Sequence, residues 1–418
     1  ALATSRKKAW SGSERGLAPA DLAMHVVLPE VDGRLFAGVS SFKEPGKKDQ
    51  ALEYSRFAHR ALPERIASVA DKVEGWVSLA QKANTDKQIA CVLSTYPGKD
   101  WNMAHAVGLD PLASVEAVLG DLQNAGFQTA HAGKLEDALL TETLSWSLAD
   151  YHATLATLPE ALRDDLTEVW GAPENDLTFA DGAFHFKATK RGNVLVALQP
   201  ERGSDQQRED EYHDLSRVPR HSYVAFYLWL RHALNSDALI HVGAHGTLEW
   251  LPGKSVALSA ECWPEALIGD LPVIYPFIVN DPGEAAQAKR RINALTLGHV
   301  PPPLKQSATP ERFARLETIL DEFSNADGLD PKRRDRLQTD IRDEAEALGL
   351  QAELGLDDAT SLAEAITRID TFVCDIKESQ FGDGLHIYGR APLTEGSLDA
   401  APDSYTHPRA DETKAKLV

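Results

Sequence analysis

The side chains of this protein that can do chemistry are crowded into one stretch, Ala238-Leu-Ile-His241-Val-Gly243-Ala-His245-Gly246-Thr247-Leu-Glu249-Trp250-Leu-Pro252-Gly253-Lys254. Two imidazoles, a carboxylate, an indole and an ammonium stand among glycines, directly after an apolar run that reads as a buried strand. His241, His245 and Glu249 fall at i, i+4 and i+8, which on a continuous helix would make one stripe able to hold a divalent ion. The glycines and Pro252 make such a helix costly. The pattern instead predicts a strand from Asp237 to Val242 that ends at Gly243. A glycine-rich loop follows, in which backbone approaches a ligand closely and Thr247 caps a short helical turn bearing Glu249 and Trp250. In α/β sheets ligands bind beyond the carboxyl ends of the strands, and this loop falls there.

Glu249 is the candidate base. Beside Trp250 and Leu251 its carboxylate is partly desolvated, which raises its proton affinity toward neutral pH. The competing reading makes Glu249 a solvated loop acid and leaves both histidines bonded to backbone carbonyls. Three such groups in one glycine-rich loop weigh toward a site. Sharper motifs are missing from the sequence. There is no His-Glu-x-x-His pair, no Gly-x-Gly-x-x-Gly and no Gly-x-Ser-x-Gly. Gly253-Lys254-Ser255 ends like a phosphate loop, but the position that needs the upstream glycine is Leu248, so ATP is not expected to bind through a Walker A loop here.

The chain has 418 residues, room for two or three domains, and a hydrophobic content of 43%, as ordinary globular proteins have. A formal net charge of -20 argues against a nucleic-acid partner, because phosphate backbones are met by clustered Lys and Arg. Cys91, Cys262 and Cys374 are far apart and read as reduced thiols in a cytoplasmic protein. Leu271 to Val279 is too short to span a bilayer and is broken by Pro272 and Pro276. Arg6, Lys7 and Lys8 precede no apolar stretch, so no secretory signal is expected, and Ala1 in place of Met suggests a processed product or a piece of something longer.

The elements expected to position the loop are those of an α/β fold. Parallel or mixed sheets are flanked by helices, and the C-terminal part is rich in helix. We expect an N-terminal strand and helix segment over 1–84, an α/β core with the His/Glu site over 85–300, a helical region over 301–392 and a polar tail over 393–418. Within this plan the opening 20 residues read as loose, Met24 to Pro29 as a strand with a second strand reaching Val39, and Gln50 to Lys82 as a helix broken near Pro63. Lys87 to Ser94 reads as a buried strand, Asp110-Pro111 as a helix start, and Phe127 to Ala130 as a further strand. Two helical segments fill Lys134 to Trp170, and a hairpin spans Phe184 to Leu198 with its turn at Arg191-Gly192-Asn193. His221 to Leu234 is a helix whose aromatic side serves as core or as a platform for a flat ring. Asp281-Pro282-Gly-Glu284 opens a helix carrying Lys289-Arg290-Arg291, a triplet that suits substrate carboxylates or a solvated face. Asp330-Pro331 opens another helix, and Leu362, Ile366, Ile369 and Val373 align as a bundle core. Phe381 to Arg390 is a second glycine-rich insertion, with His386 in its middle.

The segment from His241 to Lys254 closely resembles the signature of the CobN/magnesium-chelatase H-subunit family, large ring-binding subunits of ATP-dependent metal chelatases. The likeness continues through Val92-Leu-Ser-Thr-Tyr-Pro-Gly-Lys99, Ala106-Val-Gly-Leu-Asp110, His221-Ser-Tyr-Val-Ala-Phe-Tyr-Leu-Trp-Leu230, Tyr275-Pro-Phe-Ile-Val-Asn-Asp-Pro-Gly-Glu284, Gln287-Ala-Lys-Arg-Arg291 and Asp383-Gly-Leu-His-Ile-Tyr-Gly389. Leu248 and the Pro-Gly-Lys-Ser ending resemble the cobalt branch, while Thr95 and His105 depart from the usual Asn. The resemblance implies insertion of Co(II), as substrate metal, into a corrin precursor such as hydrogenobyrinic acid a,c-diamide for cobalamin biosynthesis, with ATP and Mg on separate AAA+ partner subunits. On that reading Glu249 is base or metal-delivery carboxylate, and His245 and His241 hand over the ion in a transient ligand set, which suits a borderline metal. Trp250 and Tyr223 would stack on the macrocycle, Lys254 or Arg290 would meet its carboxylates, and His221 and His386 would also line the ring site. The alternatives are a magnesium-chelatase large chain acting on protoporphyrin IX, a ring-binding module inactive without its flanks and partners, and a stand-alone metallohydrolase.

Overall fold

The computed structural model describes residues 1–94, 109–130, 132–203, 217–243, 246–278, 282–299, 313–326, 331–354, 356, 365–366, 368–369, 372–373 and 386–390. It divides into two compact units, Ala1–Ala104 with Leu122–Gly298, and His105–Asp121 with His299–Val418. Mixed sheets flanked by helices make it an α/β protein, and helices dominate the described C-terminal part. No helix among the described residues is long and apolar enough to cross a membrane.

The first unit is built on two sheets. In the smaller, β1 (Leu2–Ala3) runs parallel to β2 (Ser41–Pro45), which pairs antiparallel with β3 (Phe57–Ala61). The larger contains β4 (Ile89–Leu93), β5 (Thr143–Ser147), β6 (Phe179–Ala180), β7 (Ala183–Arg191), β8 (Val194–Leu198), β9 (Ala238–Val242), β10 (Val273–Ile278) and β11 (Leu295–His299). Its order is β11-β10-β9-β4-β8-β7-β5, with β6 beside β7. β10, β9, β4 and β8 are mutually parallel, while β7 and β5 turn antiparallel. Every residue of β4, β8 and β9 is buried, as strands covered on both faces require. The β7–β8 hairpin turns at Gly192, whose φ of +69° suits the first central position of a tight turn and whose hydrogen faces Gln128 O, where a Cβ would come within 2.4 Å.

The helix His221–Leu228 is buried on every side and continues through Trp229–Ala233, joining the main core. A helix apolar all round belongs inside, so the aromatic side is core and not an open platform. In the second unit, Phe313, Leu316, Leu320, Leu337, Ile341, Ile366, Ile369 and Val373 pack together, with helices Ala314–Ala326 and Pro331–Ala347 supplying the first two sides. Leu362 lies outside the described residues.

Several expected elements differ. Met24 to Pro29 is helical, because Pro19 opens a helix that runs on through Ala23–Val27 and Leu28–Val31, and a short apolar run has no period of its own to settle the matter. The strand expected to reach Val39 is displaced to β2. Gln50 to Ala61 is not helix: Phe57–Ala61 pairs with β2, and the helix starts at Pro63 because Leu62, preceding a proline, is extended. Phe127 to Ala130 forms no strand, and Lys134 to Trp170 contains β5 between helices Leu135–Thr141 and Leu148–Leu155. The opening residues are folded down, with Trp10 and Leu17 buried and the Trp10 indole donating to Ala257 O at 2.9 Å. Thr95, His105 and the tail over 393–418 lie outside the described residues.

Candidate functional site

β9 delivers the site. It ends at Gly243, where φ is +145° and an added Cβ would lie 1.7 Å from Ser94 Oγ at the end of neighbouring β4, so the chain can leave the sheet here only without a side chain. His241, the fourth residue of the strand, is 3% exposed, and its ring packs T-shaped with that of Tyr275 from β10, at 4.4 Å between centroids and 67°. Past the bend, Thr247 leads into the single 3-10 turn Leu248–Trp250 that carries Glu249. The Thr247 hydroxyl does not cap that turn; it is bonded instead to Tyr223 OH at 2.8 Å, and Tyr223 OH in turn accepts from Gln199 Nε2 at 3.0 Å.

Glu249 is 1% exposed, and its two oxygens face different partners. Oε1 accepts from Gly246 N–H at 3.2 Å and from Tyr275 OH at 3.3 Å, while the same hydroxyl accepts from Gly246 N–H at 2.6 Å. Oε2 lies 3.0 Å from the point where a Cβ of Gly246 would stand, and His241 Nε2 lies 2.9 Å from that point. The small volume that Gly246 leaves by having no side chain is therefore bordered closely by an imidazole nitrogen and a carboxylate oxygen, too closely for a methyl group. Burial pushes the Glu249 carboxyl up to about 7; the Glu284 carboxylate adds to the rise, and hydrogen bonds from backbone and from Tyr275 oppose it. A carboxyl titrating there can take up a proton near neutral pH.

The turn is clamped from behind. Arg291, fully buried on helix Pro282–Arg291, donates to Glu249 O at 2.5 Å, Leu251 O at 2.7 Å and Lys254 O at 3.1 Å. Arg202 Nη1 donates to Trp250 O at 3.0 Å. Burial lowers the Arg291 guanidinium to about 10, which leaves it charged. Trp250 Nε1 donates to Glu284 Oε2 at 3.0 Å, tying the turn to the same helix.

The structure brings together His241, Glu249, Trp250 and Tyr223 within the first unit, with Tyr223 reaching the turn through Thr247. His245 lies outside the described residues. Among the described residues no group of three or more His, Cys, Asp and Glu side chains could hold a metal ion, so the described pair is His241 with Glu249.

The residues expected to contact the ring are placed as follows. Trp250 and Tyr223 are 1% and 0% exposed and packed in the core, so neither ring offers a free face to a guest. Lys254 Nζ is directed to Ser11 O at 2.9 Å and Ser13 O at 2.8 Å, above the Trp10 ring, where it fastens the N-terminal segment. Arg290 forms a two-pronged pair with Glu30 at 3.2 and 2.9 Å. His221 donates from Nε2 to Gly171 O at 3.0 Å and is bonded at Nδ1 to Tyr151 OH at 2.7 Å, and burial lowers its proton affinity, so it is a neutral tie between helices. His386 belongs to the second unit, where it bridges Leu109 and its carbonyl accepts from Asp110 N–H at 2.8 Å.

The sequence does not single out Tyr275 and Arg202 as site residues, and it offers Arg291 only within a triplet suited to substrate carboxylates, not as the clamp of the turn. A tyrosine inside the apolar strand Val-Ile-Tyr-Pro-Phe-Ile was the available signal, because a buried phenol needs a hydrogen-bond partner.

The parallel strands at the centre of the mixed sheet thus end in a glycine-hinged turn that holds a buried carboxyl beside an imidazole. The family model for CobN/Magnesium Chelatase matches residues 1–415, and the chain belongs to that family. It is 40% identical over 419 residues to the protein named aerobic cobaltochelatase subunit CobN of Pseudomonas aeruginosa, covering 96% of this chain and 34% of the relative. It is 29% identical over 428 residues to the magnesium-chelatase H-subunit of Rhodobacter capsulatus, covering 96% of this chain and 35% of the relative. Among solved structures it matches the catalytic subunit of cobaltochelatase from Mycobacterium tuberculosis with a TM-score of 0.69 and 35% identity, over 95% of this chain and 35% of that one. The chain thus spans about a third of the length of the relatives it matches.

Proposed function

We propose that this chain carries the proton-accepting and metal-delivery site of a cobaltochelatase large subunit. In this reading Co(II), the substrate metal, is inserted into a corrin precursor such as hydrogenobyrinic acid a,c-diamide, with ATP hydrolysed on separate AAA+ subunits. The observation that carries the reading is the juxtaposition of Glu249 Oε2 and His241 Nε2 on the volume left by Gly246. Insertion must remove two pyrrolic protons and strip water from the ion, and a desolvated carboxyl titrating at about 7 is suited to the first task. Imidazole and carboxylate together suit a borderline divalent ion, and a two-membered set holds it weakly enough for release. The identity to cobaltochelatase subunits, higher than to the magnesium-chelatase relative above, supports cobalt over magnesium.

The test is absorbance titration of the chain with hydrogenobyrinic acid a,c-diamide and with protoporphyrin IX, followed by cobalt uptake with and without the ATPase subunits. Preferred binding of the corrin precursor and ATPase-dependent cobalt uptake are expected. Preferred binding of protoporphyrin would shift the reading to the magnesium branch, and binding of neither ring would remove it.

A further inference from the structure

Tyr275 lies on the interior strand β10 and touches His241, Gly246 and Glu249. Its ring packs against the His241 ring at 4.4 Å, its hydroxyl accepts the Gly246 N–H at 2.6 Å, and it donates to Glu249 Oε1 at 3.3 Å. It is fully buried, where an idle phenol oxygen would be costly.

We propose that Tyr275 is the positioning residue that sorts the two oxygens of Glu249. Its hydroxyl and the Gly246 N–H hold Oε1, so Oε2 is turned to the His241 side of the Gly246 volume, and its ring, in T-shaped contact, fixes the plane of the imidazole that borders that volume. A carboxylate is symmetric and rotates about its last torsion unless its oxygens are held differently. At Oε1 the two donors are Gly246 N–H and Tyr275 OH, and the amide itself is held by the phenol, so removing that one oxygen loosens both. This role rests on the reading of Glu249 and His241 as the reacting pair.

The test is cobalt insertion in the reconstituted chelatase by Tyr275→Phe, Glu249→Gln, Glu249→Asp and Tyr275→Phe/Glu249→Asp. For Tyr275→Phe, kcat is expected to fall roughly tenfold to a hundredfold, as misplacement of a reacting group does, while KM for the ring stays unchanged. In the Glu249→Asp background, where the carboxylate falls one methylene short of the phenol, losing the hydroxyl is expected to add no further loss; a merely structural role would give additive losses. Should Tyr275→Phe fail to fold, 3-fluorotyrosine at position 275 keeps the shape and alters donor strength, and it is expected to change kcat without changing ring affinity. Loss of insertion in Glu249→Gln with full kcat in Tyr275→Phe, additive losses in the double variant, or a fluorotyrosine protein with unchanged kcat would overturn the inference and leave the site reading standing. Full activity of Glu249→Gln would overturn both.

Discussion

His241 Nε2 and Glu249 Oε2 both stand beside Gly246, lying 2.9 and 3.0 Å from the place its side chain would occupy. The imidazole comes from β9 and the carboxylate from the 3-10 turn eight residues later.

Gly246→Ala tests whether that volume matters. The new methyl would stand 2.7 Å from His241 Cε1, inside van der Waals contact, and one of the two groups must move. We expect cobalt insertion to fall by roughly a hundredfold, as a 1 Å misplacement near reacting atoms costs, with ring affinity nearly unchanged. Steady-state insertion kinetics beside an absorbance ring titration reads both.

The Glu249 carboxyl makes stability depend on pH in a defined direction. Burial raises its folded-state value from 4.5 to about 7, so the folded protein holds this proton more tightly than the unfolded chain does. Its contribution is full below the unfolded value and is lost as pH rises through about 7, a change of about 3 kcal/mol. Glu249→Gln cannot ionise. Denaturant midpoints should show it more stable than the parent at pH 8 and equal to it near pH 4; a constant gap across that range would refute the assignment.

Arg291 serves three carbonyls of the turn at once, through the planar fork that only a guanidinium offers. Arg291→Met should lower stability by about 3 kcal/mol, because it leaves buried carbonyls without a donor. Arg291→Lys should recover only part of this loss. Thermal unfolding of the variants gives the comparison.

His221 is expected to act as a structural tie. His221→Leu should cost about 1–3 kcal/mol by stranding the Tyr151 hydroxyl and the Gly171 carbonyl, while ring affinity stays that of the parent. A large loss of ring affinity in a protein of unchanged melting temperature would return His221 to the binding site.

The strand and its chemistry were legible because the physics is local. Ala238-Leu-Ile-His-Val is too apolar to lie anywhere but inside a sheet, and Gly243 and Gly246 mark where backbone must bend and yield space. Desolvation of Glu249 followed from Trp250 and Leu251 beside it. What sequence did not disclose is where a polar tip goes once its stem is buried. Lys254, Arg290 and His221 are of types that bind anions or rings, and each is occupied by a partner distant in sequence, at Ser11 and Ser13, at Glu30, and at Tyr151 and Gly171. Tyr275 shows the reverse, a residue that reads as strand filler and becomes a site residue only when β10 is laid beside β9. The N-terminal differences have a similar origin. Met24 to Pro29 is short enough to fit either period, and the packing of Val26 among Trp10, Phe36 and Phe42 decided it.

Glu249 as the proton acceptor in cobalt insertion is the central claim, and the rate of insertion by Glu249→Gln at saturating ring, in the reconstituted complex with its ATPase subunits, tests it most directly. Insertion reduced at least roughly a hundredfold, with ring binding preserved, is the predicted result, as expected for removal of a general base. Turnover equal to that of the parent would contradict it.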